Sequence, residues 1–322
     1  MRRLGALAAA VLLLAGCAQD TARLPPAPVP YGPEITVDAT PVPLNPSQPQ
    51  QGAMGGFAWA GGLMLTSAQT SRLHGLSDIK AWPDGRLLAV GDQGDLLEAR
   101  LVLDGSGRLV DVQQARLTQL QGEDGRELYA LGEVPRDAEG ILELSNGDRL
   151  ISFEQDDRIL LYPRTGALPR RAPSPDVRFT YNKGMEALTL VPAAGADAYA
   201  AGNEETGQTW ICRLSAACVA DRRVQLDDGF ELAGMASLSG GRMAYLLRAF
   251  DRIRGVRIVL RVMGADGATL DELRLAAPLT VDNFEGVAAV EQPGRPVRFY
   301  LISDDNFADY QRTLLVAFDW RG

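Results

Sequence analysis

The chain has 322 residues, 46% hydrophobic and 23% charged, with a formal net charge of −9. That composition supplies a full apolar core and excludes a disordered or fibrous protein. An acidic chain without a basic run is unsuited to nucleic acid, whose affinity comes largely from neutralised phosphates; it suits cations, or substrates held by a few basic groups.

The N-terminus predicts export. Arg2 and Arg3 precede an apolar run over 4–14, the n-region and h-region of a secretory signal, and the run is too short to span a bilayer as a mature helix. Leu14-Ala15-Gly16-Cys17 resembles the bacterial lipobox, which makes 1–16 the signal peptide and Cys17 the lipidated first mature residue. Ala18 after the cysteine, by the sorting rule of enteric lipoproteins, favours the outer membrane, facing the periplasm or the cell surface. Losing Arg2 and Arg3 takes the net charge from −9 to −11. Prolines crowd LPPAPVPYGP and PVPLNPSQPQ, so residues 17–56 read as a stiff tether, with Glu34–Leu44 a candidate extra strand. The folded domain is expected over 57–322, as a monomer that meets the membrane only through its anchor. No later apolar run is long enough to cross a bilayer.

Beyond residue 70 the chain reads as short strands separated by Gly, Asp, Asn and Pro, with no sustained helical period. The turns WPDG (82–85), SNGD (145–148) and LSGG (238–241) each sit between two strand-like runs, as hairpin turns do. The strands repeat. Ser77-Asp78-Ile79, Glu139-Gly140-Ile141, Glu186-Ala187-Leu188, Ala233-Gly234-Met235 and Glu285-Gly286-Val287 share one pattern, here numbered from its first residue, X; successive X positions are 62, 47, 47 and 52 residues apart. That is the length of a four-stranded propeller blade, with an extra hairpin expected near 104–133 in the first unit. The fold class is therefore all-β, a β-propeller of five readable blades. The fifth reaches the C-terminus after three strands, so an N-terminal strand such as Phe57–Leu65 is expected to complete it and close the ring. A sixth, degenerate blade over Glu34–Thr66 is the alternative. Cys212 and Cys218, in CRLSAAC, read as a disulfide closing a hairpin loop in an oxidising compartment; a metal pair is the weaker alternative, since the only histidine, His74, is far away in sequence.

In each unit the second strand ends in a charged residue: Asp92, Glu154, Glu204, Arg248 and Asp304, offset from X by 15, 15, 18, 15 and 19. In an antiparallel hairpin the start of the first strand lies beside the end of the second, so both sets converge on one mouth of the central channel. Seven carboxylates and one arginine in so small a space raise one another's pKa values unless a cation relieves them, and all-oxygen ligands favour Ca²⁺ or Mg²⁺. Arg248, from the only unit whose X is a small apolar residue, is expected to be free to grip an anion, with Lys183 on the same rim. His74 reads as a rim or turn residue. The chain has no G-x-S-x-G elbow, no second histidine, and neither a P-loop nor a dinucleotide fingerprint.

The segments NKGMEAL (182–188), DNFEGVA (282–288), RDAEGI (136–141) and SDDNFADYQRTLL (303–315) resemble the bacterial phytase-like family named for "esterase-like activity of phytase", over about His74 to Phe318. The resemblance implies a β-propeller hydrolase of esters or phosphoesters, with calcium as cofactor by analogy with propeller phytases. Carried over by motif, Glu139, Glu186, Glu285, Asp304 and Asp305 are the expected metal ligands. Glu154, Glu186, Glu204 and Arg248 are the expected catalytic residues, with a carboxylate as base and the arginine steadying a developing anion on a small anionic ester or phosphoester. A non-catalytic propeller that binds a ligand or partner at the same mouth, with structural calcium, is the alternative.

Overall fold

A computed structural model describes residues 34–322; the expected signal peptide, Cys17 and the expected tether as far as residue 33 lie outside the described residues. Five antiparallel sheets form a ring, a five-bladed β-propeller. Blade 1 holds Leu76–Ala81, Arg86–Gly91, Asp95–Leu103 and Leu109–Gln119, from the channel outward. Blade 2 holds Ala138–Glu143, Arg149–Phe153, Arg158–Tyr162 and Arg170–Ala172. Blade 3 runs through Ala187–Leu190, Ala198–Gly202, Gln208–Arg213 and Ala216–Arg223. Blade 4 is Glu231–Ser237, Met243–Asp251, Gly255–Met263 and Thr269–Ala276. Blade 5 has Phe284–Val290, Val297–Ser303 and Leu314–Trp320 from the C-terminal end, completed by Phe57–Thr66.

That completion is the expected closure: Leu314 pairs with Met64 and Trp320 with Phe57. Phe57, Phe299 and Phe318 are fully buried beside it, each contributing roughly 1.5–3 kcal/mol by burial. The hairpin turns also form as expected; Gly85 and Gly147 both adopt φ near +85°, which a side chain would strain. Cys212 and Cys218 are joined as a disulfide between adjacent strands of blade 3.

Three details differ from the expectation. Residues 34–56 do not all belong to a free tether: Glu34–Ile35 adds to the outer strand of blade 1, Asp38–Pro41 adds to Phe57–Thr66 of blade 5, and Leu44 is fully buried. The folded body thus begins by Glu34 rather than 57, because this segment staples blade 1 to blade 5 across the closure. The sixth-blade alternative fails for the same reason, since its strands are divided between two existing sheets. The extra hairpin of the long first unit is reduced to a single antiparallel bridge, Gln121 with Glu127; the rest of the length lies in two long outer strands and in two helical turns, Leu128–Leu131 and Glu133–Arg136. Among the described residues no helix is long and apolar enough to cross a membrane.

The inner strands lie close together, and small residues permit it. A Cβ on Gly140 would stand 2.9 Å from the Glu186 carbonyl, and one on Gly286 2.7 Å from the Asp78 Cα. In blade 1 the matching position is Asp78, whose Oδ2 accepts the Ile141 N–H of blade 2 at 2.9 Å. The small-or-polar residue after X is thus the seam between neighbouring blades.

Candidate active site at the acidic channel mouth

The X residues are aimed by β-bulges. In blades 1, 4 and 5, Ser77, Ala233 and Glu285 are extra residues that the second strand does not match, and in blade 2 Glu139 and Gly140 together face Ser152. A bulge re-aims its side chain and ends regular pairing. In blade 3 the first strand starts only at Ala187, leaving Glu186 just ahead of it. The strand-end residues sit beside these. The N–H groups of Asp92, Glu154, Glu204 and Asp304 donate to the carbonyls of Gly75, Asp137, Gly184 and Asn283, and Arg248 pairs with Glu231. Each acceptor or partner is the residue two before X, so the repeat holds in three dimensions.

The extended register adds residues that the sequence pattern, aligned from X, leaves out. Asp137, Glu231 and Asn283 all occupy the position two before X and join the mouth. Aligning the repeat two residues further upstream would have exposed them, because that position is polar in three of the five units.

One side of the mouth carries its own cations. Arg248 donates from Nη2 to Glu204 Oε1 at 3.0 Å, lies 3.5 Å from Glu186 Oε1, and bonds through Nη1 to Glu285 and, at 3.1 Å, to Asn283. Lys183 Nζ lies 3.0 Å from Glu204 and 2.7 Å from Glu231. The freedom expected of Arg248 is therefore not there: three carboxylates surround its guanidinium, and they outweigh burial to raise its pKa. Asp305 is likewise engaged. It accepts from Thr313 Oγ1 at 2.9 Å and from the Gly75 and Phe307 amides at 3.2 Å, and it lies 2.6 Å from His74 Nδ1. Burial alone would raise its pKa, but these bonds, His74 first among them, hold it below the usual carboxylate value.

Across the mouth the balance differs. Asp137, Glu139 and Glu154 place one oxygen each within 4.8 Å of one another, and Glu154, Glu186 and Glu204 form a second triplet of the same kind. Among the described residues no lysine or arginine pairs with Asp137, Glu139 or Glu154; Gln155 donates to Asp137 and the Gly184 N–H to Glu154. Burial, then neighbouring carboxylates, raise Glu139 well above the usual value and bring Glu154 to about 7. Glu186, Asp92 and Asp304 are pushed up for the same two reasons, although Arg248 opposes the effect at Glu186. Among the described residues the buried oxygens Glu186 Oε2, Glu204 Oε2 and Asp92 Oδ1 have no hydrogen-bond donor. Glu285 belongs with Arg248, and Asp304 neighbours Asp92 and Glu285.

The family model described as "Esterase-like activity of phytase" matches residues 71–307. The chain belongs to the phytase-like family. No curated protein matches it. Solved structures with a similar course include a putative gluconolactonase, at 12% identity and TM-score 0.48, with 82% of each chain covered. A gluconolactonase from Xanthomonas campestris has 14% identity and TM-score 0.46, covering 91% of this chain and 99% of that one. Virginiamycin B lyase from Staphylococcus aureus has 10% identity and TM-score 0.45, covering 82% and 100%. Nothing about the chemistry of this phytase-like chain follows from likenesses at that level.

Proposed function

We propose that the acidic mouth is the centre of a cation-assisted hydrolase of esters or phosphoesters. The observation that carries the reading is the Asp137, Glu139 and Glu154 triplet, gathered within 4.8 Å and paired with no lysine or arginine among the described residues. Three carboxylates held so close call for a cation, and their hard oxygen donors fit Ca²⁺. A cation held there would polarise the scissile ester or phosphoryl oxygen. The second triplet needs an outside cation less, because Arg248 and Lys183 already face Glu186 and Glu204.

This division assigns roles to the chain's own residues. Glu186 is the base: its Oε2 is buried without a donor, and burial, Glu204 and Glu285 raise its affinity for the proton of an attacking water. Arg248 positions Glu186 and holds Glu204 and Glu285 in place as counter-charge. Glu285, Asp304 and Asp305 stand outside the cation triplet in this reading. The lipobox supports the same protein acting from a lipid anchor on Cys17 at the outer membrane; incorporation of a labelled fatty acid that is lost in Cys17→Ser is the expected result.

The test is hydrolysis of a nitrophenyl ester and a nitrophenyl phosphate with calcium or chelator. Wild type is expected to turn over one of them only with calcium. Glu186→Gln should lose at least about a hundredfold in rate while binding calcium as before. Unchanged turnover in Glu186→Gln would sink the assignment, and calcium binding without turnover on any ester would favour a ligand-binding propeller.

A further inference from the structure

The mouth has one more arginine. The connection from blade 1 to blade 2 lies on its rim and ends in the helical turn Glu133–Arg136, directly before Asp137 of the cation triplet. The Arg136 guanidinium carbon lies 4.9 Å from the Tyr129 ring centroid, and that of Arg72 lies 5.0 Å from the same ring. Their situations differ. Arg72 is buried and bonded through both Nε and Nη2 to Asp95. Arg136 packs over the Gly94 turn, two residues past Asp92, and is within electrostatic reach of Asp92, Asp95 and Asp137. Even so, no carboxylate among the described residues pairs with it, and its buried Nε has no acceptor.

Lys183 and Arg248 are both taken up by the mouth's carboxylates. In such a setting an arginine oriented by an aromatic ring, yet paired with none of the acids around it, keeps its donor edge for something that arrives from outside. A guanidinium fork matches the two oxygens of a phosphate or carboxylate, and stacking limits the orientations it must lose on binding. Arg136 acts electrostatically on Asp137, so an oxyanion on Arg136 would also feel the cation triplet.

We propose that Arg136 is the anion-binding residue of the mouth, and that the ligand carries an oxyanion, phosphate or carboxylate, which bridges Arg136 and the cation held by Asp137, Glu139 and Glu154. The inference rests on the cation site proposed above; it does not need the hydrolytic step. It also moves to Arg136 the anion-gripping role that the sequence suggested for Arg248.

The experiment is calorimetric titration of the full, calcium-loaded chain with phenylphosphonate, phenylacetate and, as a neutral control, methyl phenylacetate. Wild type is expected to bind one of the two anions at least about tenfold more tightly than the neutral ester. Arg136→Gln should weaken that anion by about tenfold or more, and Arg136→Lys by less, since a point charge survives without the fork. Calcium affinity should change by no more than about twofold, because Arg136 is not one of the carboxylates that hold the ion. Tighter phenylphosphonate points to phosphoesters, and tighter phenylacetate to carboxylate-bearing esters. Equal anion binding by wild type and Arg136→Gln, or no anion binding by calcium-loaded wild type, overturns the proposal. A chain that binds an oxyanion through Arg136 but hydrolyses no ester upholds this inference and removes only the hydrolytic reading. Ester hydrolysis indifferent to Arg136 does the reverse.

Discussion

The two mouths of the channel are made from opposite ends of the same five inner strands, and they treat charge differently. At the mouth formed by the later ends, Ala81, Leu142, Leu190, Ala236 and Ala289 line a cavity of about 130 Å³. The charges near it are matched: Lys80 meets Asp78 at 2.6 Å, and Glu143 lies 3.1 Å from Arg86 and 3.5 Å from Arg149. At the other mouth, Asp92, Asp137, Glu139, Glu154, Glu186, Glu204, Glu231, Glu285, Asp304 and Asp305 outnumber the nearby cations, and three buried carboxylate oxygens lack a donor. A fold stabilised only from within would match both ends. The excess at one end is what a site for an outside cation looks like, and its cost appears as raised proton affinity.

Removing the counter-charge at each mouth should separate the two most strongly. Arg248→Met leaves Glu186, Glu204 and Glu285 facing one another in a buried space, and a loss of about 3–5 kcal/mol is expected in denaturant unfolding at pH 7. The matching change at the far mouth, Glu143→Gln, should cost less than about 1 kcal/mol, since both its partners, Arg86 and Arg149, reach solvent, which screens the pairs. Equal losses would mean that the mouths do not differ in kind.

The two mouths should also differ in their response to pH. Glu154 is raised to about 7, and Glu139, Glu186, Asp92 and Asp304 are raised with it. The native state therefore holds more protons than the unfolded chain between about pH 4.5 and somewhat above 7, and over that window stability falls as pH rises. In chelator, melting temperature should decline from pH 5 to pH 8. Calcium at about a hundred times its Kd should restore roughly 5–10 °C at pH 8 and little at pH 5, where protons already neutralise the site. A calcium effect as large at pH 5 would place the ion elsewhere. The same scan on Glu143→Gln should overlay wild type, because that mouth holds no excess charge.

Much of the acidic mouth is legible in the amino-acid sequence. The repeat from X to the strand end spans one hairpin, and hairpin register is a local property set by the turn. The convergence of Glu139, Glu186, Glu285, Glu154, Glu204 and Asp304 follows from that register alone. Arg248 and Asp305 mark the limit of such local reasoning. Both stand at the mouth, but whether Arg248 is free or surrounded depends on Glu186, Glu204 and Glu285 from two other blades. Asp305 is drawn to His74 and Gly75 of blade 1, 231 and 230 residues away.

The all-β architecture, five readable blades, the closing strand, the hairpin disulfide and the end of the channel at which charge collects can all be read from the amino-acid sequence. Each depends on strand period, turn chemistry or the length of one unit, all of which act over a few tens of residues. Three outcomes needed the folded molecule: residues 34–56 join the body rather than build a sixth blade, and, among the described residues, the carboxylates divide into one triplet without a protein cation and one with two, and Arg136 pairs with no acid. Those outcomes turn on differences of a few ångströms between side chains on different blades, and electrostatic energy in a buried site changes steeply over that distance.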